Sequence, residues 1–496
     1  MSDEQPRDVQ SVRREKLDRL RARGVEPFAL RFDRDSLASD VRDKYGDLSP
    51  GRSTGKTVKV AGRLVALRRH GHLSFAVVRD LSGDLQLMFS EEALGTAEYG
   101  HLDDLDIGDW VGAEGEVVTT KKGELSVLAS IVTLLSKSLR PMPEKWHGLK
   151  DVELRLRQRY LDLATTSETR DRTRARARML RALRDHLDER GFLEVETPVL
   201  QPIPGGGLAR PFVTHHEALD IPLYLRIAPE LFLKRALVGG LERVFEIGRT
   251  FRNEGISTRY NPEFTMLEAY QAYASYEDMM ELVEGLVKAA ARAVNDGLAF
   301  QFRGQTVDLG VPWPRVTLME LVSDAVGREV SLDLTLETLQ GIAEEHHVGY
   351  APTWAAGKLI TEMFEELVEE SLVQPTIVKD FPREVSPLAR THRDDPRLTE
   401  HFDLVLGGVE IAPAYSELTD PDEQRRRFEM QREQKAAGTD ETHPYDEDFL
   451  VALEHGMPPA GGLGLGVDRL LMILTDAGSL REVILFPTLR PEDHPR

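Results

Sequence analysis

The chain has 496 residues, room for about three domains of ordinary size and a substantial core. With 41% hydrophobic and 30% charged residues it is neither a disordered tail nor a membrane protein, and its lack of cysteine excludes disulfides, thiolate zinc sites and cysteine nucleophiles. The 63 basic and 84 acidic residues give a net charge of −21, which argues against a general polyanion binder, so any nucleic acid must be bound locally.

The polar opening MSDEQPRDVQ has no signal-peptide pattern, and a cytoplasmic location is expected. Residues 11–23 set Val12, Leu17 and Leu20 among Arg13, Arg14, Lys16, Arg19, Arg21 and Arg23, which predicts an amphipathic helix closed by Gly24, its basic face in solvent. Residues 1–55 therefore read as an N-terminal helical extension. The segment 51–57, GRSTGKT, resembles a phosphate-binding loop but has one residue too few between its glycines and no strand before it, so it is expected to be an ordinary loop.

From 56 to 139 the chain breaks into about five short apolar runs punctuated by turns such as Ser82-Gly83-Asp84 and Lys121-Lys122-Gly123. This pattern suits a small closed β-barrel of the OB-fold kind, and Arg68, Phe75 and Gln86 are candidates for contacting single-stranded nucleic acid. A Pro- and Gly-bearing linker is expected at 140–155, leaving 156–496 as one large α+β region. Basic residues outnumber acidic ones 14 to 9 over 140–190, whereas 401–460 holds 5 against 14. Helices are expected near 173–190, 276–293 and 355–371 and from 467 onward, with strands near 223–228, 243–252, 264–273 and 402–417. The run GLGLGV at 462–467 lacks the third glycine of a dinucleotide fingerprint, and His215-His216 and His346-His347 lack the spacing of a helical zinc site.

Chemistry concentrates in the large region. If Arg252 and Glu254 lie on one strand, and Glu268 and Tyr270 on an antiparallel neighbour, strand alternation gathers a cation, two carboxylates and a phenol in one pocket. Asp403 and Glu410 have opposite parity in one apolar stretch, and Gly407-Gly408 suggests a bulge that brings them together as a Mg²⁺ pair. Arg469, opening the last helix, suits an anion. Together these describe a site for a nucleoside triphosphate and a cationic small molecule.

At these residues the chain resembles the class II aminoacyl-tRNA synthetases, and among them the lysyl-tRNA synthetase family. FLEVETPVL (192–200, the end of a motif 1 region at about 173–200), FRNEGISTRYNPEFTMLEAYQAY (251–273) and GLGLGVDRLLMIL (462–474) look like its three motifs, and RQRYLDL, ARPFVTHH and GGVEIAPAYSEL match at the subfamily level. The resemblance implies ATP-dependent activation of lysine and its transfer to the 3′ end of tRNA(Lys), by a homodimer using Mg²⁺ and no membrane. The fold it implies is an N-terminal OB-fold barrel followed by a catalytic antiparallel sheet flanked by helices.

Carried over residue by residue, Arg252 and Arg469 are catalytic, with Glu254, Tyr260, Phe264 and Glu410 also around ATP. Asp403 and Glu410 would hold Mg²⁺. Gly206, Glu230, Arg252, Glu268, Tyr270, Tyr415 and Glu417 would bind lysine, and Arg68, Phe75 and Gln86 would read the anticodon. Pro413 stands where the family usually has Asn, Tyr260 where it has His, and Asp403 where it more often has Glu. An aspartyl- or asparaginyl-tRNA synthetase, or a weakened paralogue that only binds tRNA, are the alternatives; Glu230, Glu268 and Glu417 speak against the first and Pro413 motivates the second.

Overall fold

The computed structural model describes residues 8–143, 149, 151–436 and 443–491. Residues 144–148 and 150 of the linker expected at 140–155 lie outside them. The chain divides into two compact units, Met1–Gly148 and Leu149–Arg496.

In the first unit, β1 (Ser53–His70), β2 (Leu73–Arg79), β3 (Asp84–Ser90), β4 (Trp110–Thr119) and β5 (Leu125–Ser136) close into a barrel in the order β1-β2-β3-β5-β4. Alternate residues such as Leu64, Leu87, Phe89, Val111 and Val127 fill it and are fully buried, because strand alternation sends every second side chain inward. Two expectations change here. Ser53 to Thr57 of the loop-like GRSTGKT belong to β1. The helix Val9–Ala22 forms, but its basic face is not free: Arg13 donates to the carbonyls of Ser138 and Arg140, Lys16 pairs with Asp106 at 2.6 Å, and Arg19 and Arg23 both pair with Asp104. Only Arg14 and Arg21 of the six basic residues stay exposed without such a partner among the described residues. Asp104, Asp106 and two backbone carbonyls of the same unit meet this face in place of water.

The second unit contains β6 (Leu193–Glu194), a three-stranded sheet of β7 (Leu200–Gln201), β8 (Val213–His216) and β9 (Ile221–Leu225), then β10 (Arg243–Phe251), β11 (Glu263–Ala272), the hairpin β12 (Ala299–Phe302) and β13 (Gln305–Asp308), β14 (Arg315–Thr317), β15 (Thr376–Lys379), β16 (His401–Leu406), β17 (Val409–Ser416) and β18 (Ala460–Gly466). Its eight-stranded sheet has the order β14-β15-β16-β17-β18-β11-β10-β6. The six central strands are antiparallel as expected, while the short edge strands β14 and β6 run parallel to their neighbours.

The helices Ser167–Asp188, Tyr276–Asn295 and Val467–Leu474 cover one face of this sheet. Met179, Leu183, Val283, Leu286, Leu470 and Ile473 pack there against Leu267, Phe402, Leu404, Ala412, Leu463 and Leu465. The apolar residues occupy one strand parity, so the opposite parity, carrying Glu268, Tyr270, Asp403, Pro413 and Tyr415, faces the other way and lines a cleft. Strand β18 explains the glycine run. Leu463 and Leu465 point into the core, and the alternate glycines leave the cleft floor without side chains. A Cβ at Gly462 would lie 2.1 Å from Glu417 Oε1 and 2.4 Å from the Tyr270 ring.

Candidate active site

Two adjoining cavities open on that face and share Arg252, Met266, Glu410 and Pro413. The first, about 770 Å³ with its open mouth, is lined by Arg252, Glu254, Arg259, Tyr260, Phe264, Glu410 and Arg469. The second contains Gly206, Glu230, Glu268, Tyr270, His401, Asp403, Tyr415 and His443. One chamber is therefore rimmed by arginines and aromatics, and the other is acidic.

Strand β10 ends at Phe251, so Arg252 and Glu254 do not share a strand face as expected. They start the loop to β11, where Glu254 is exposed. The Arg252 guanidinium lies over the Phe264 ring, 5.3 Å from its centroid, and its buried Nε has no hydrogen-bond partner among the described residues. A buried, unpartnered guanidinium nitrogen is costly unless a ligand meets it. Arg469 donates to the Glu410 carbonyl at 2.8 Å and lies over the Tyr260 ring, 5.8 Å from its centroid. Behind it, buried Asp468 accepts from the Thr265 amide at 2.7 Å and pairs with Arg176, which fixes the start of the helix that carries Arg469.

Glycines 407 and 408 are the two residues of a tight β16–β17 turn, with φ of 64° and 70°, and not the bulge that was expected. A register shift does occur, in β17 three residues past Gly408: Leu404 faces Ala412 but Val405 faces Glu410, leaving Ile411 as the extra residue. Ile411 and Ala412 both turn into the core, and the parity change puts Glu410 on the side of Asp403. Burial pushes the Glu410 carboxyl up, Arg469 opposes that rise, and the charge of Asp403 adds to it. Asp403 accepts a hydrogen bond from His401 Nε2 at 2.9 Å, while His401 Nδ1 meets Ser386 Oγ at 2.8 Å. The His401 ring stacks on Phe381 at 4.0 Å and lies 4.5 Å from Tyr415.

Pro413 pairs with Asp403 across β16, whereas the ladder between β17 and β18 begins one residue later, at Ala414. The missing N–H therefore falls where the two strands have parted, which is how an internal strand tolerates proline.

In the acidic chamber, Tyr270 donates to Glu268 Oε2 at 3.1 Å, both residues being buried. Burial and the nearby charge of Glu230 push the Glu268 carboxyl well above the usual range, and burial raises the Tyr270 and Tyr415 phenols. Gly206 has φ 85°, and a Cβ there would lie 2.9 Å from Glu230 Cβ. Glu417 sits behind the chamber wall, beside Gly462 and Tyr270, and burial pushes its carboxyl up to about 7 against the pull of Lys234.

Lys234, His401, His443 and Asp468 were not singled out by the sequence. Lys234 follows Glu230 by four residues in the mostly apolar ELFLKRALV, and that i, i+4 pairing was the available signal.

On the barrel, Arg68 is paired across β1–β2 with Phe75, Phe75 faces Met88, and Gln86 lies two residues from Met88 along β3. The three expected residues thus share one outward face. Gln86 is held by a 2.8 Å hydrogen bond to Ser126.

Comparison with known proteins agrees with this geometry. Residues 151–490 match the family described as tRNA synthetases class II (D, K and N), and residues 58–135 match the OB-fold nucleic acid binding domain. The chain is 51% identical to the lysine–tRNA ligase of Syntrophomonas wolfei, covering 98% of this chain and 97% of that one. It is also 51% identical to the lysine–tRNA ligase of Moorella thermoacetica (98% of each) and 47% identical to that of Bacillus subtilis (98% of each). The family match runs through every strand and loop that lines the two chambers, so the chain belongs to the class II tRNA synthetases (D, K and N).

Proposed function

We propose that the protein activates lysine with ATP and transfers the lysyl group to the 3′ end of tRNA(Lys). The observation that carries this reading is the acidic chamber next to one rimmed by arginines, with Arg252 in the wall between them. Lysine brings two ammonium groups, which Glu230, Glu268 and Glu417 suit; an aspartate or asparagine side chain would leave those buried carboxylates unmatched. Gly206, Glu230 and Tyr415 would contact the amino acid near its α-carbon, and Glu268, Tyr270 and Glu417 would read its far end.

ATP would lie in the other chamber. Phe264 and Tyr260 are the aromatic surfaces there, Glu254 the acceptor at its edge, and Arg469 the cation for the triphosphate tail. Arg252 would touch both the lysine carboxylate and the α-phosphate, aligning the carboxylate for in-line attack and stabilising charge as pyrophosphate leaves. Asp403 and Glu410 suit Mg²⁺: the register shift brings two carboxylates to one cleft, where phosphate oxygens of ATP would complete the shell. The ion would neutralise phosphate charge.

The outer barrel face would bind the anticodon, with Phe75 stacking on a base and Arg68 and Gln86 contacting its neighbours. A homodimer through the motif 1 region is supported by the exposed apolar residues Leu193, Val199 and Leu200 within it and Val213, Leu219 and Ile221 on the following β8–β9 hairpin. No helix among the described residues is long and apolar enough to cross a membrane.

Charging of tRNA(Lys) with labelled lysine tests the reading. The wild type should charge this tRNA, and Phe75→Ala should weaken tRNA use about 10- to 100-fold, the worth of one stacked base, while leaving tRNA-independent lysine activation unchanged. A failure to charge tRNA(Lys) would overturn the proposal.

A further inference from the structure

The acidic chamber is backed by a cation that the substrate-binding scheme does not use. Lys234, on the helix Glu230–Val238, is completely buried. Its Nζ lies 2.7 Å from Glu230 Oε1 and 2.5 Å from Glu417 Oε2, so one internal ammonium ties a carboxylate that lines the chamber to one buried behind it. Glu417 Oε2 is engaged by Lys234, whereas its buried Oε1 has no hydrogen-bond partner among the described residues and is left to accept from an incoming donor. His443, beside Lys234, adds no charge: burial, reinforced by Lys234, pushes it down to about 4, so it is neutral at physiological pH. Of the other basic residues in the lining, His401 is held on Asp403, and Arg252 is the group for the substrate carboxylate.

Asp403 and Glu410 also line the chamber, but they form the pair that would hold Mg²⁺. Of the acids left for the amino acid, Glu230, Glu268 and Glu417 face one fixed cation, Lys234, so two carboxylates remain unmatched, the same number as the ammonium groups on free lysine. The carboxylate of the amino acid would be met separately by Arg252.

We propose that Lys234 is a specificity-determining residue, which sets the chamber two negative charges short of balance so that only an amino acid carrying two ammonium groups makes it neutral. Without Lys234 the chamber would hold three unmatched acids, and bound lysine would leave one of them buried and unpaired. In the empty chamber the shortfall is relieved by protons, consistent with the raised carboxyls of Glu268 and Glu417. This inference rests on the lysine reading of the site.

A double-substitution cycle on the full-length protein tests it, with lysine binding measured by calorimetry and the KM values for lysine and ATP measured separately. Lys234→Met should weaken lysine binding at least tenfold with the KM for ATP within about twofold, and Glu417→Gln alone should also weaken it. In the Lys234→Met background, however, Glu417→Gln should improve lysine binding, because two acids then face two ammonium groups. A Lys234→Met protein that folds only when Glu417→Gln is added would support the same charge balance. Losses that simply add, a folded double variant that binds lysine no better than Lys234→Met alone, or a double variant that does not fold would each overturn the role of Lys234. Absence of lysine binding by the wild type would instead remove the underlying reading of the site.

Discussion

Arg252→Met is expected to lower the rate of lysyl-adenylate formation by about a thousandfold while leaving the fold intact. Removing a single preorganised donor to a developing charge typically costs about 10²- to 10³-fold, and Arg252 would serve two reacting groups at once. Little stability should be lost, because the buried Nε has no partner among the described residues and the contact with Phe264 is worth only about 0.5–1 kcal/mol. Arg252→Lys should not restore the rate, since an ammonium cannot reproduce the planar fork that reaches a carboxylate and a phosphate together. The checks are single-turnover adenylate formation and thermal melting. A variant within tenfold of wild type would remove Arg252 from the reaction.

Glu410→Gln is expected to abolish activation yet make the ligand-free protein more stable. The bulge at Ile411 forces Glu410 onto the side of Asp403, and its carboxyl is raised by burial and by that neighbour. A group whose pKa is raised on folding favours the folded state at low pH and loses that contribution as pH rises through the folded value, so at pH 8 an ionised Glu410 opposes folding. Glutamine removes the opposition together with a metal carboxylate. Melting temperature should therefore rise at pH 8 and change little at pH 4, while pyrophosphate exchange falls to background and tRNA binding persists. Retained activity would refute the metal role, and a lower melting temperature at pH 8 would refute the cost assigned to the ionised carboxyl.

These two residues also show what the sequence makes legible. The barrel could be read because its strands are short, apolar and separated by turn residues, and the central strands of the large sheet because their hydrophobic parity is strict. The pairing of Glu268 with Tyr270 followed from alternation alone. The route that brings Asp403 to Glu410 was misplaced by a few residues: two adjacent glycines fit a bulge or a two-residue turn equally well, and only the register decides. Arg252 reached its position from a loop because β10 stops at Phe251, and strand ends are set by pairing partners that are remote in sequence.

The basic residues were harder to read, since a charge run does not reveal whether its acids lie nearby in space. Arg13, Lys16, Arg19 and Arg23 were expected in solvent, but the barrel unit supplies Asp104, Asp106 and the Ser138 and Arg140 carbonyls. Much of the basic 140–190 stretch is likewise committed internally, with Arg155 and Arg159 on Asp162, Arg172 on Glu482 and Arg176 on Asp468. Lys234 illustrates the same limit inside the core, because its burial depends on Glu417, 183 positions away in the chain.

ATP–pyrophosphate exchange with each amino acid supplied in turn tests the central claim most directly. Lysine alone should drive exchange, and it should do so without tRNA. Exchange driven by aspartate or asparagine, or none with lysine, would contradict the assignment of the acidic chamber to lysine.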